Sequence, residues 1–463
     1  MNRPRWSKWQ RDKDIVAPKI RYSHAASSSE RYMLIHGGYY NIGGPQWLDD
    51  TWCFIKRGST WSWNQLDFPQ HANKPAARYS HTLVNLNMHH SSLGVGSTSD
   101  VFSDVFYLFG GDDGGHSIPN QKGYAVGHYY NDLWKLEIRL ISGSRMHMQG
   151  TWTQLSIESP VPTPRTSHTA VALLDVRENV KNRDLRRRYN MRKNTNMMVL
   201  FGGLTVKRSH KVELVESNQL WIMEFDKNKS GEDVEDNDDV KWILWTLNSA
   251  STSISMPLPR HGHSATTDQK RNIMYIFGGQ SQTLQTLLQD LWSWNRIEGW
   301  SLLHNPVHNS INHNYPTGLL YSSMGWLRSN QLVLFGGARG CSSRCFTESK
   351  TWIWDMKTHL WTLSSVSRND PTHRYRQTLV NLVHVEGKTQ QHIMFGGESY
   401  GALQKYHNDV WFLESSFTSI STRARMEGKS HMVFSNFAAI LSIFGCSLIL
   451  LWLLLRIKNK QSW

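Results

Sequence analysis

The sequence predicts an all-β chain built from six copies of one repeated unit, followed by a single membrane-spanning segment. Three observations lead there. A short apolar run ending in Gly-Gly recurs six times. A tryptophan inside a second apolar run follows each copy. A run of uncharged residues, Phe437 to Leu455, lies near the C-terminus.

The Gly-Gly pairs are Gly37-Gly38, Gly110-Gly111, Gly202-Gly203, Gly278-Gly279, Gly336-Gly337 and Gly396-Gly397. The residues before them are β-branched and aromatic, as in Tyr107-Leu108-Phe109 and Tyr275-Ile276-Phe277, and favour a strand. Paired glycines permit positive φ and close backbone approach where that strand ends. The following tryptophans are Trp52, Trp134, Trp221, Trp292, Trp352 and Trp411. A further tryptophan precedes a leucine in five copies: Trp63 and Leu66, Trp152 and Leu155, Trp245 and Leu247, Trp300 and Leu302, Trp361 and Leu363. Four units open on a basic and histidine signature, seen as Arg21-Tyr22-Ser23-His24, Arg78-Tyr79-Ser80-His81, Arg165-Thr166-Ser167-His168 and Arg260-His261-Gly262-His263.

This ordered series resembles the kelch-repeat family, over about residues 1–415. The resemblance implies one four-stranded blade per copy, hence a six-bladed β-propeller. Two units depart from the pattern. The fifth has Leu319-Leu320-Tyr321-Ser322 at its opening, and the sixth has Arg374-Tyr375-Arg376-Gln377. The sixth unit also lacks a fourth strand of its own. Trp6 precedes Arg21 by 15 positions, as Trp63 precedes Arg78 and Trp245 precedes Arg260. That spacing predicts that the N-terminal segment supplies the outer strand of the last unit, closing the ring and removing an open sheet edge.

Composition sets outer bounds. The chain has 463 residues with 21 tryptophans, 33 glycines and a formal net charge of +14. Such a mix suits short strands joined by turns, and the charge favours anionic partners. Four cysteines are too few for a disulfide framework and suit a reducing compartment. Only Cys341 and Cys345 could pair locally. No apolar core follows the N-terminus, so no secretory signal is expected there.

The uncharged run matches the roughly 20 residues that cross a bilayer as a helix. The predicted organisation is a propeller over 1–415, a linker over 416–434, a transmembrane helix over 435–456 with its apolar core at 437–455, and a short basic tail over 457–463. Few residues follow the run, as in a tail anchor, which predicts a cytosolic propeller. The basic flank Arg456, Lys458 and Lys460 supports the opposite placement, in a lumen or outside. The organelle is not legible.

In an up-and-down blade, the loops joining strands 1 to 2 and 3 to 4 share one face. The 2–3 loops and the links between blades share the other. The chain leaves the sixth unit on the first face. In the third unit that face carries a basic insertion, Arg177 to Lys193, containing Arg186, Arg187 and Arg188, and an acidic one, Glu232 to Asp239. The basic loop is a candidate contact for anionic lipid, or simply a solvated loop. Nucleic acid is not expected, because no stacking aromatics alternate with the basic residues. The opposite face, with its long 2–3 loops, is the candidate partner surface.

No catalytic, cofactor or metal-binding residue is assigned. Equivalent positions of His24, His81, His168 and His263 point to hydrogen bonding between blades by neutral imidazole, and no histidine pair has zinc spacing. Some propellers similar to this one are enzymes, including copper oxidases related to galactose oxidase and sialic-acid mutarotases. Cys53 matches the oxidase requirement for a cysteine cross-linked to tyrosine poorly. The expected function is a membrane-anchored adaptor that recruits a protein partner through a propeller face. The alternatives are an enzyme in the central channel and a lumenal or extracellular receptor or glycan binder. A sequon, Asn228-Lys229-Ser230, would bear on the last of these.

Overall fold

A computed structural model describes residues 4–11, 15–69, 71–86, 102–114, 128–141, 147–157, 160–174, 196–208, 212–225, 240–246, 255–306, 314–327, 330–340, 346–364, 367–383, 390–400 and 404–415. These residues form an all-β fold with no helix among them. None is therefore part of a helix long and apolar enough to cross a membrane. The expected transmembrane run 437–455, Arg186 to Arg188, the sequon and the Cys341 and Cys345 pair lie outside the described residues.

The repeat signature becomes four-stranded antiparallel sheets. Unit one is Ala25–Ser28, Tyr32–Asn41, Pro45–Arg57 and Thr60–Gln65, hydrogen-bonded in that order. Unit two is Thr82–Asn85, Phe102–Phe109, Leu133–Ile141 and His147–Leu155. Unit three is Thr169–Leu173, Met197–Phe201, Leu220–Phe225 and Val240–Trp245. Unit four is Ser264–Asp268, Ile273–Phe277, Leu291–Asn295 and Gly299–His304. Unit five is Ser323–Leu327, Gln331–Phe335, Thr351–Asp355 and Leu360–Leu363. Unit six has three consecutive strands, Thr378–Val383, Gln390–Phe395 and Val410–Ser415. On its outer edge lies Arg5–Lys8, with Trp6 opposite Leu413 and Lys8 opposite Trp411.

First strands of successive units pack side by side, and that of unit six packs on that of unit one. The second strands are near-continuous apolar runs, with Met197–Phe201 buried at every position, so both sheet faces are covered by neighbours. One apolar cluster accordingly lies between each pair of adjacent units among the described residues. Leu34, Leu108 and Trp134 join units one and two, for example, and Trp63, Phe54 and Phe395 join units six and one.

The Gly-Gly pair is where neighbouring units are stitched together. Gly37 has φ of +64°, and a Cβ there would stand 2.7 Å from the carbonyl oxygen of Arg78 in the next unit. The amide of Gly38 donates to that same oxygen at 2.9 Å. The equivalent bond recurs from Gly111, Gly203, Gly279, Gly337 and Gly397, the last donating to Arg21 of unit one. A side chain would push the two backbones apart, which is why the pair recurs.

The opening arginine clamps its own unit. Arg21 is fully buried and donates to the carbonyl of Gly37 at 2.9 Å and to both carboxylate oxygens of Asp50 at 2.7 and 2.8 Å. Trp52 donates its indole N–H to the same carboxylate. Burial alone would raise the Asp50 pKa, but these bonds outweigh it and hold it below the usual range. Arg78 with Asp132, Arg260 with Asp290 and Arg374 with Asp409 repeat the clamp. Unit three substitutes Gln219 for the acid. Unit five has Leu319 and Lys350 in place of both partners.

The histidines sit between units. His24 Nε2 is hydrogen-bonded to Thr378 Oγ1, His168 to Thr82, and His263 to Thr169. His81 meets no such hydroxyl, because Ala25 stands at that position and neither ring nitrogen finds a partner. In unit six Gln377 replaces histidine and donates to the carbonyl of Phe335. Burial holds His24 and His168 at about 3. The unfolded chain therefore takes up these protons first. Stability is whole above about pH 6.5, the ordinary value, and falls as pH drops from there toward about 3. His168→Gln, which copies Gln377, is expected to flatten the stability slope between pH 6 and 4 by about 1.4 kcal/mol per pH unit. Urea melts at several pH values measure it. An unchanged slope would refute the neutral-imidazole role.

Candidate ligand-binding mouth

The residue after each opening dipeptide turns toward the central axis. Ser23, Ser80, Ser167, Gly262, Tyr321 and Arg376 occupy equivalent positions, with φ between +50° and +62°. Each amide donates to the carbonyl of the preceding member: Ser80 to Ser23, Ser167 to Ser80, Gly262 to Ser167, Tyr321 to Gly262, Arg376 to Tyr321 and Ser23 to Arg376. The bonds measure 2.7 to 3.1 Å and form a closed circle. Left-handed φ costs roughly 1–3 kcal/mol at a non-glycine residue, so the circle holds five residues in a conformation they would not choose alone.

This circle is the rim of a cavity of about 230 Å³ lined by all six units. A second cavity of about 270 Å³ lies further along the first strands, among Ser28, Asn85, Gln269, Asn381 and Trp326. The rim carries serine hydroxyls in units one to three and no side chain at Gly262, and the two departing units supply Tyr321 and Arg376. Arg376 lies over the rings of Tyr321, Tyr375 and Tyr22, at 4.5, 5.3 and 5.4 Å from their centres. Its guanidinium is 3.6 Å from the Glu398 carboxylate, which is almost wholly buried. Burial pushes the Glu398 pKa up and Arg376 opposes it. Around this centre Tyr22 stacks on Tyr406 at 5.7 Å, and Tyr375 meets Tyr400 at 5.9 Å.

The 2–3 hairpins position these groups. Tyr22 bridges to Tyr39, Tyr79 to Asp112 and Tyr375 to Glu398. Thr166 donates to Asp112 at 2.5 Å, and Glu216 is hydrogen-bonded to His261 of unit four. The mouth therefore belongs to the face of 2–3 loops and inter-unit links. Among the described residues, five of the nine exposed large apolar side chains lie on that face. Val16 and Leu258 lie on links, and Ile42, Leu284 and Phe346 lie on 2–3 hairpins. The other exposed ones, Leu244, Leu302, Leu360 and Leu363, lie on fourth strands. None falls in a described 1–2 or 3–4 turn.

The repeat residues chosen from sequence are scaffold. Trp52, Trp134, Trp221, Trp292, Trp352 and Trp411 are buried between units, and the glycine pairs make the stitches above. Cys53 is a buried free thiol on the third strand of unit one. Among the described residues no cluster of three or more His, Cys, Asp or Glu could hold a metal ion. The mouth was not chosen from sequence. Its signal was present in the broken signatures of units five and six.

The KLHDC2/KLHL20/DRC7 Kelch-repeats domain model matches residues 193–445. Host cell factor 1 of Rattus norvegicus and of Homo sapiens are each 26% identical over 249 residues, 53% of this chain. The match spans 9% of the length of those curated relatives. A solved structure titled "Structure of YjhT" covers 86% of this chain and 96% of its own, at 12% identity and a TM-score of 0.48. The family model covers more than half of the sequence, and the chain belongs to the kelch-repeat family.

Proposed function

We propose that this chain is a membrane-anchored adaptor: a six-bladed propeller, closed by its N-terminal strand, that receives a protein partner on the 2–3 loop face. Kelch repeats suggest a protein-interaction propeller. The observation that carries the choice of face is the coincidence of the Arg376 and tyrosine cluster with exposed Ile42, Leu284 and Phe346 on the same side. Aromatic and arginine side chains beside exposed apolar ones are what interfaces enrich. The apolar run 437–455 would hold the propeller on a membrane, with the propeller in the cytosol and Arg186, Arg187 and Arg188 toward anionic lipid.

One experiment addresses both parts. Protease is added to sealed membranes carrying the full chain with an N-terminal tag, and partners are captured by proximity labelling. Digestion of the tag with retention of the membrane fragment is expected. Protection would place the propeller in the lumen and overturn the cytosolic reading. Ile42→Ser with Phe346→Ser is expected to reduce capture of specific partners at least about tenfold, since truncating an interface anchor typically costs more than 1 kcal/mol each. Undiminished capture would move the partner to another surface. Neutralising Arg186, Arg187 and Arg188 should lower residual binding to anionic liposomes if the basic loop touches lipid.

A further inference from the structure

Two departures from the repeat meet at the seam between units one and two. In the other five units the first strand opens on a serine or threonine. That residue pairs across to a phenylalanine just before the Gly-Gly, as Thr82 does with Phe109 and Thr378 with Phe395. In unit one the same cross-strand pair is Ala25 and His36. A hydroxyl is lost and a ring nitrogen is gained. Both changes bear on one residue, His81 of unit two, whose counterparts His168 and His263 use such a hydroxyl.

The rings of His36 and His81 stand 5.4 Å apart between centres, with their planes at 83°. The two residues are 0% and 5% exposed. Nε2 of His36 and both nitrogens of His81 are buried and find no hydrogen-bond partner among the described residues. Three unmet ring nitrogens at one contact are costly unless something joins them.

The chemistry of the seam selects its guest. Neutral imidazole nitrogens are ligands for copper and zinc. Burial keeps both rings neutral, with His36 at about 3 and His81 well below its usual value. Zinc asks for four ligands, and this apolar seam beside Trp152 supplies only two. Cu(I), a soft closed-shell ion, is satisfied by two nitrogens in line. Metal–imidazole bonds run about 2.0 Å, so the ligating nitrogens need to stand about 4 Å apart. Ring centres at 5.4 Å allow that, because each nitrogen lies off its ring centre and no hydrogen bond stops His81 from turning. Charge favours a monovalent ion as well. The nearby cations are already paired, Arg78 with Asp132, Arg21 with Asp50 and Lys74 with Asp49. No spare anion offsets a second positive charge, and buried charge is expensive. Thr51 holds His36 from behind, its hydroxyl 2.9 Å from Nδ1, which leaves Nε2 to ligate. Ala25 and His81 line the mouth cavity, which gives an ion its way in.

We infer that His36 and His81 form a two-coordinate site for Cu(I), which clamps unit one to unit two. The site is independent of the adaptor reading.

The test is an anaerobic titration of the full chain with Cu(I), in competition with a chromophoric Cu(I) chelator. Cys341→Ser and Cys345→Ser are made in every protein compared, so that those thiols take no copper. One Cu(I) per chain is expected, with an X-ray absorption spectrum of two nitrogen neighbours and no sulfur. His36→Phe copies Phe109, and His81→Gln copies Gln377, so each places at its site a residue that another unit carries there. Each is expected to weaken binding at least about tenfold, the loss that follows even from removing a group behind a metal ligand. Thr51→Val, which copies Val410 of unit six, keeps both ligands and is expected to weaken binding about tenfold. It reads the site even if a ligand variant fails to fold. Copper is expected to raise the melting temperature of the parent protein and not that of His36→Phe. Copper binding that survives His36→Phe and His81→Gln, sulfur in the coordination shell, or no binding by the parent protein would each overturn the inference. The last outcome would leave the seam to a water molecule in place of the missing hydroxyl.

Discussion

Removal of residues 1–12 is expected to abolish the cooperative unfolding transition. The strand Arg5–Lys8 is short, but it completes unit six and touches two others. It pairs with Val410–Ser415, whose outer edge would otherwise carry unmet backbone groups. Trp6 is buried with Leu327, Phe335, Ile353 and Leu413, so it packs unit six against unit five. Its indole N–H donates to Thr351 of unit five at 3.0 Å. Trp9 packs on Phe54 of unit one at 5.0 Å. The segment thus bridges units five, six and one, where the first and last repeat units meet. Truncating a buried tryptophan costs about 3–5 kcal/mol, against a whole-domain stability of about 5–15 kcal/mol. Loss of the strand adds unmet edge groups to that. Differential scanning calorimetry is the measurement. Trp6→Ala is expected to keep one sharp transition at lower temperature, while the deletion gives a broad one or none. A deletion variant that melts like the full chain would refute ring closure by this strand.

What the sequence disclosed followed repetition. A physical demand met six times leaves six marks, and the Gly-Gly stitch and the buried tryptophan are such demands. The N-terminal strand was legible because Trp6 kept the spacing of Trp63 and Trp245. The histidine role was legible for the same reason, although the missing partner of His81 was not, since it depends on Ala25 in the adjacent unit. The mouth was hidden by the opposite cause. Arg376 occurs once, and its partners Tyr22, Tyr321 and Tyr375 come from three units that meet only around the axis. Its neighbours in sequence, Arg374 and Gln377, serve the scaffold. Nothing local separates a clamp arginine from one aimed into a cavity. The clamp itself was hidden because its acid lies next to another strand, two residues before the tryptophan.

Knowledge of that clamp makes unit five informative. Leu319 occupies the arginine position and is buried among Phe277, Leu291 and Leu334. Lys350 occupies the acid position, two residues before Trp352. The backbone stitches are kept, for Leu319 still accepts from Gly279 and the amide of Gly336 still donates to Lys350 at 3.4 Å. The scaffold is therefore ready for a clamp it does not have. Leu319→Arg alone places a cation in a buried site beside Lys350, with only backbone carbonyls to accept it. Uncompensated buried charge costs about 3–5 kcal/mol. Lys350→Asp alone is expected to change little, because Lys350 is 42% exposed and its contact with the buried Glu348 carboxylate is long, at 4.0 Å. The double variant restores both partners, and its new carboxylate can also accept the indole N–H of Trp352, as Asp50 does from Trp52. It should recover most of the loss, giving a coupling energy of about 2–3 kcal/mol between the two positions. Urea melts of the four proteins measure it. Additive effects would mean that the clamp depends on more than its two charged groups, and that the departure of unit five is not a simple exchange of one buried pair for an apolar side chain and a solvated lysine.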